Sequence, residues 1–216
     1  MAAGRTLVWQ AEFDGTLGPD IVRRGNGCTP PSNYWFSNGN LVTMFSAGIG
    51  ECRYHRVALT TEGQRTFGFG RFVVRAKLST APGAHNGVFM VGARGDWPAA
   101  GEINLSETTG NTPHTHFRFW SARQNDPDAR CGLPVNANLP YGWHTYFVER
   151  GRDWAALGAD GQVHVRYTKA QYTARGCTWP FNEPFFFNIN QSGGGYGGTV
   201  KWLPFTSRID WIRYYR

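Results

Sequence analysis

The 216-residue sequence has few charged side chains, 17% against 15% aromatic, and no run of one sign. That scarcity, set beside 28 glycines, excludes the profile of a disordered chain and suits a turn-rich β protein with an aromatic-lined surface. The formal charge is +7, nearly all of it from arginine, but the arginines are scattered over many segments. A basic balance can serve nucleic acid or an acidic polymer. Dispersed in this way it reads as ordinary surface charge, so no nucleic-acid partner is expected. No apolar run is long enough to span a membrane. There is no long amphipathic helix and no internal repeat. The glycine run at 193–198 lacks the lysine and strand–helix context of a phosphate loop, which argues against nucleotide binding. Met1-Ala2-Ala3-Gly4 carries no signal peptide and reads as a processed or recombinant start. Cysteine is limited to Cys28, Cys52, Cys131 and Cys177, far apart and without metal-type spacing. An even number suggests two disulfides. Three pairings are possible, and the order along the chain favours Cys28 with Cys52 and Cys131 with Cys177.

What is present is a series of short alternating segments. Strands are expected at 6–13, 51–60, 66–79 and 86–93. Asn38-Gly39 should turn a hairpin between Tyr34-Trp35-Phe36 and the segment from Leu41 to Phe45. Phe72, Val74, Ala76 and Leu78 should share one face, with Arg71, Val73, Arg75 and Lys77 on the other. After the segment at 102–107, a turn through Gly110-Asn111 leads into His114 to Trp120. Gln124 to Leu139, polar and proline-containing, reads as a loop. Strands follow at Trp143 to Arg150, Trp154 to Leu157 and Gln162 to Tyr167, the last two joined by Asp160-Gly161. A short helix at 169–175 and strands from Glu183 to Gln191 and Ile209 to Tyr215 complete the chain. Many short strands with frequent turns predict an all-β sandwich in a single domain, 1–216.

The stretch from Trp97 to Glu107 carries the chemistry. In a strand, Glu102, Asn104 and Ser106 share a face, and Glu107 points away from it. One extra residue between Asn104 and Glu107, a β-bulge, returns Glu107 to the face of Glu102. Two carboxyls so placed can approach the ~5–5.5 Å separation of a retaining glycosidase. The same spacing also fits polar decoration of an exposed strand.

GEINLSE preceded by Trp97-Pro98 resembles the active-site strand of glycoside hydrolase family 16, whose pattern is Glu, any, Asp, any, any, Glu. LVWQAEFDG, NGNLV, the run from Arg56 to Thr80, WHTYFVE, ADGQ, WPFNEPFFFNIN, the glycine run and IDWIRYYR follow in the family's order. The resemblance implies a β-jelly-roll sandwich of two curved antiparallel sheets, with a substrate cleft on the concave face. It implies a secreted, monomeric endo-glycosidase of the laminarinase type, acting on a polysaccharide, with no membrane partner and no cofactor for catalysis. Glu102 would be the nucleophile and Glu107 the acid/base, whose pKa should be raised by burial and by the charge of Glu102. Asn104 stands where the family has aspartate. It keeps the shape and can donate a hydrogen bond to Glu102, but it cannot pass a proton. Reduced activity or an altered pH optimum is expected, and a sugar-binding member that cleaves poorly is the alternative.

By the same resemblance Trp97 would stack a sugar, and His116 would stand beside the acid/base. Arg75, Asn33 and Gln191 match positions that can face the cleft. A structural calcium would take Glu12, the Gly39 carbonyl and Asp210. Trp143, Trp154 and Trp211 read as core. His85-Asn86-Gly87-Val88-Phe89 replaces the Trp-Pro-Ala-Phe-Trp of many laminarinases. Two platforms are thereby lost, and another β-linked polymer such as a galactan is the alternative substrate.

Overall fold

The computed structural model describes residues 4–110, 115–136 and 139–216. Its strands begin with β1 (Leu7–Ala11), β2 (Val22–Arg23), β3 (Tyr34–Ser37), β4 (Asn40–Ala47), β5 (Tyr54–His55) and β6 (Val57–Thr60). β7 (Gly70–Lys77), β8 (Ala84–Gly92), β9 (Glu102–Thr109), β10 (Thr115–Arg123) and β11 (Asp126–Asn136) follow. The last are β12 (His144–Gly151), β13 (Trp154–Ala159), β14 (Gln162–Thr168), β15 (Phe185–Gly193) and β16 (Phe205–Tyr215). A short helix, α1 (Lys169–Thr173), starts at a capping box formed by Thr168 and Gln171.

The strands make two antiparallel sheets packed as a jelly-roll sandwich. One runs β14-β13-β12-β7-β16-β4-β3, with β1 paired to β16 and β5 to β4. The other, which carries the cleft, runs β11-β10-β9-β8-β15-β6-β2. Local chemistry sets the hairpins. Both residues of Asn38-Gly39 and of Asp160-Gly161 take positive φ, the geometry that matches strand twist in a two-residue turn. In β7 the expected alternation holds: Phe72, Val74 and Ala76 are buried, and Arg71, Arg75 and Lys77 face outward.

Between the sheets lies an aromatic core. Phe67 meets Trp9, Phe72 and Tyr214 edge-on, with ring centroids 5.1–5.2 Å apart. Arg150 is buried beside it. It donates to the carbonyls of Phe67, Gly68, Phe181 and Glu183, and its guanidinium lies 4.5 Å from the Phe185 ring centroid. Burial lowers its pKa to about 10. The disulfides are Cys28–Cys52 and Cys131–Cys177, as the chain order favours. Among the described residues no helix is long and apolar enough to cross a membrane.

Three expectations need correction. Gln124 to Leu139 is not a loop: Gln124 and Asn125 turn, and β11 occupies most of the described part of the segment. β11 is an edge strand, where Pro127 and Pro134 cost no ladder hydrogen bond on the open side. Within 51–60 the pairing is broken into β5 and β6. Trp143, Trp154 and Trp211 are not core. They face outward, each under a guanidinium: Arg75 at 4.7 Å, Arg166 at 4.6 Å and Arg213 at 4.3 Å from the ring centroid. In β16 the register slips between Ile209 and Trp211, and neither Asp210 nor Trp211 is buried in the core. The core tryptophans are Trp9 and Trp179. The Gly110-Asn111 turn, the strand start at His114 and the Met1 to Ala3 start fall on residues outside those described.

Candidate active site

The bulge in β9 is present. On the β8 side Phe89 pairs with Asn104 and the next residue, Val88, pairs with Ser106, which leaves Leu105 as the extra residue. The β10 ladder shifts at the same place, between His116 opposite Glu107 and Arg118 opposite Asn104. Apolar burial drives the arrangement. Ile103 and Leu105 are wholly buried in the core, and the chain then slips by one so that Glu107 faces out beside Glu102.

Asn104 joins the two acids. Its amide Nδ2 donates to Glu107 Oε2 at 3.2 Å, and it also hydrogen-bonds Glu102. The expected bond to Glu102 is therefore half of a bridge. The Trp97 indole donates to Glu102 from the other side.

The two carboxyls have different surroundings. Burial, and then the charge of Glu107, push Glu102 up to about 7, against the hydrogen bonds from Trp97 and Asn104 and the charge of Arg118. Burial also raises Glu107, but the His85 hydrogen bond and charge, with Arg118 and His116, outweigh it and hold Glu107 below the ordinary glutamate range. This reverses the expected polarity, in which Glu107 was the raised acid. The cause is His85, whose Nε2 lies 2.9 Å from Glu107 Oε1. Gly87 is paired with Glu107 and carries no side chain, so His85, two residues back on the same face of β8, reaches the carboxyl.

A pocket of about 190 Å³ holds both glutamates, Asn104, Ser106, His85, Phe89 and Asn190. It opens into a groove of about 570 Å³ walled by Trp97, Trp120, Tyr196, Arg118 and Arg130. Trp97 is 46% exposed there. An acid pair at the floor and flat aromatic faces along the walls suit a sugar chain, whose rings offer apolar C–H faces.

Other site expectations are corrected. Arg75 lies on the opposite sheet, paired with Asp210 and stacked on Trp143. Asn33 is buried and donates to the Met44 carbonyl at 3.0 Å and to Ser46 Oγ at 3.1 Å. Gln191 points between the sheets, where it accepts from Thr43 Oγ1 at 3.2 Å. Strand alternation gives its neighbour Asn190 to the pocket instead. The calcium donors do not fit a cation. Both carboxylate oxygens of Glu12 accept from Arg213 at 2.8 Å, and Asp210 is held by Arg75. Gly39 is a hairpin turn residue. Among the described residues no group of three His, Cys, Asp or Glu side chains could hold a metal.

Several cleft residues escaped the sequence reading. His116 does stand opposite Glu107, as expected, and alternation around buried Phe117 and Phe119 puts Arg118 and Trp120 on the same face as His116, a signal available in the sequence. His85 sat one residue before the expected strand start and read only as a lost platform. Arg130 was hidden in the supposed loop, and nothing in the sequence marks Tyr196.

No family model matches the chain. It is 25% identical over 97% of its length to a keratan-sulfate endo-1,4-β-galactosidase of Sphingobacterium multivorum, and spans 55% of that enzyme. The chain therefore covers about half the length of this curated relative. Among solved structures it resembles the catalytic domain of an endo-1,3-β-glucanase (laminarinase) from Thermotoga petrophila, at 26% identity and TM-score 0.86 over 98% of both chains. It also resembles SCLam, a non-specific endo-β-1,3(4)-glucanase from family 16. There the identity is 26% and the TM-score 0.83, over 100% of this chain and 93% of that one.

Proposed function

We propose that the chain is a laminarinase-like member of glycoside hydrolase family 16 and acts as a secreted, single-domain, retaining endo-glycosidase on a β-1,3-linked glucan, a reading supported by its likeness to the laminarinase structures. Glu102 attacks the anomeric carbon and forms a glycosyl-enzyme bond while Glu107 protonates the departing glycosidic oxygen. Glu107, now ionised, then takes a proton from the water that displaces Glu102. The observation that carries this reading is the bulge in β9, which turns Glu102 and Glu107 into one pocket with Asn104 between them.

The working state needs Glu102 ionised and Glu107 protonated, the reverse of what the free site favours. His85 Nε2 lies one hydrogen bond from Glu107 Oε1 and is placed to exchange a proton with it. As pH rises through about 7, Glu102 ionises, and its charge then works against ionisation of Glu107. Asn104 removes one charge and one proton acceptor from the cluster.

Laminarin with a reducing-end assay, and NMR of the first anomer released, test the reading. Cleavage with retention is expected, lost in Glu102→Gln. Full cleavage by that variant, or inversion, contradicts it. Asn104→Asp should change the rate or the pH profile; an unchanged profile defeats the role given to this position. A galactan is the second reading, favoured by the likeness to a keratan-sulfate galactosidase and by the platforms absent at His85 to Phe89.

A further inference from the structure

Among the described residues Arg130 is a cleft cation with no carboxylate partner. It projects from β11 toward the groove, its guanidinium 5.6 Å from the Trp97 ring centroid and 5.8 Å from that of Trp120. One N–H reaches the Tyr196 hydroxyl at 3.4 Å. Among the described residues no carboxylate lies within ion-pair range of it. Arg5, Arg24, Arg65, Arg71, Arg75, Arg94 and Arg213 each have one. Arg118, deeper in the groove, acts on both Glu102 and Glu107, so its charge is already engaged.

The strand is built to hold Arg130 there. Its neighbour Cys131 is tied into the core by the bond to Cys177. Gly132 pairs with Trp120, and a Cβ at 132 would stand 2.1 Å from the indole. The missing side chain lets that ring lie across β11. Both indoles beside Arg130 are thus set against the acid pair, where a sugar next to the cleavage point would rest.

A neutral glucan would use this guanidinium only as a donor to hydroxyls, whereas a sulfated one would also use its charge. A guanidinium stacked on aromatic faces keeps its planar fork of donors free and has lost little freedom still to lose, which suits a bidentate oxyanion. The chain's +7 charge favours approach of a polyanion. We propose that the cleft selects a β-linked glycan bearing a sulfate ester on the sugar beside the cleavage point, with Arg130 as its receptor. This rests on the glycan-cleft reading above, and it makes Arg130 a specificity residue, not a catalytic one.

Two matched pairs of polymers test it by binding: laminarin with chemically sulfated laminarin, and keratan sulfate with its desulfated form. At low salt at least one sulfated member should bind about tenfold or more tighter than its neutral partner, the scale of one charge-assisted bidentate contact. Added salt should erode the preference. Arg130→Ala should reduce it to near unity, Arg130→Lys should keep part, and Arg208→Ala, on the other sheet, should keep all. Equal binding within both pairs overturns the proposal, as does a preference that survives Arg130→Ala. Binding is read separately from cleavage, so a sulfate preference with no hydrolysis of any polymer would fell the glycosidase reading and leave this one standing.

Discussion

The two sheets present the same residue types outward and use them in opposite ways. On the nine-stranded sheet, Trp143 and Trp211 lie under Arg75 and Arg213, and each arginine is closed by a carboxylate, Asp210 or Glu12. On the seven-stranded sheet, Trp97 and Trp120 stand beside Arg130, which has no acid, and the acids there face each other across Asn104. A tryptophan beside an arginine is therefore no mark of a sugar site. Arg166, over Trp154 on the first sheet, also lacks a carboxylate partner among the described residues, so an open arginine is no mark either. What marks the cleft face is two carboxyls with opposed pKa shifts in one pocket, the condition for chemistry.

The comparison breaks most sharply at the acids. Glu102→Gln should lower kcat on a cleaved polymer by on the order of 10⁴-fold or more, as expected for loss of a nucleophile. Arg213→Ala, which opens a closed pair on the other face, should leave kcat unchanged and cost about 1 kcal/mol or less in urea unfolding. A comparable kcat loss from both variants would erase the distinction.

Trp97→Ala should raise KM by roughly 10-fold or more if this exposed groove wall stacks a sugar as proposed. Trp211→Ala should change KM by less than about twofold, because surface changes away from a site are usually small. Steady-state kinetics on both variants decides.

His85→Gln should move the pH profile. Without the imidazole, burial dominates at Glu107 and its pKa rises toward that of a buried acid. Glu107 then stays protonated to higher pH, so the alkaline limb of kcat/KM should shift upward. An alkaline limb that does not move would show that His85 does not govern the acid.

Stability should show the strain at Glu102. Its folded pKa of about 7 lies above the ordinary 4.5, so the folded chain binds more protons than the unfolded one between those values. Its contribution is complete below 4.5 and is lost as pH rises through 7. Glu102→Gln should therefore unfold at higher urea than the parent at pH 8, by on the order of 2 kcal/mol. Near pH 4.5 the two should be similar. A gap of the same size at both pH values would contradict the burial of an ionising carboxyl.

The sequence made the site's floor legible because burial there is nearly binary. Ile103 and Leu105 must enter the core, so a six-residue span that also needs two outward glutamates requires a bulge. Hairpin turns were legible at Asn38-Gly39 and Asp160-Gly161 because positive φ restricts the residue choice. The walls were harder to read. Arg130 lies in a proline-bearing strand that is possible only at a sheet edge, and edge position is a property of topology. Trp211 was misassigned because a bulge in β16 inverts the alternation that had placed it inside. The reversed pKa order at Glu102 and Glu107 depends on His85 crossing an empty position at Gly87, a contact between two strands that no single-strand pattern contains.

The central claim is that the bulge in β9 makes Glu102 the nucleophile of a pair. The most direct measurement is peptide mass spectrometry after incubation with 2-deoxy-2-fluoro-laminaribiosyl fluoride and, in parallel, the corresponding lactosyl fluoride, each able to trap a glycosyl-enzyme. The account predicts a single glycosyl ester on Glu102. A label on Glu107, or none from either sugar under conditions where a polymer is cleaved, would contradict it.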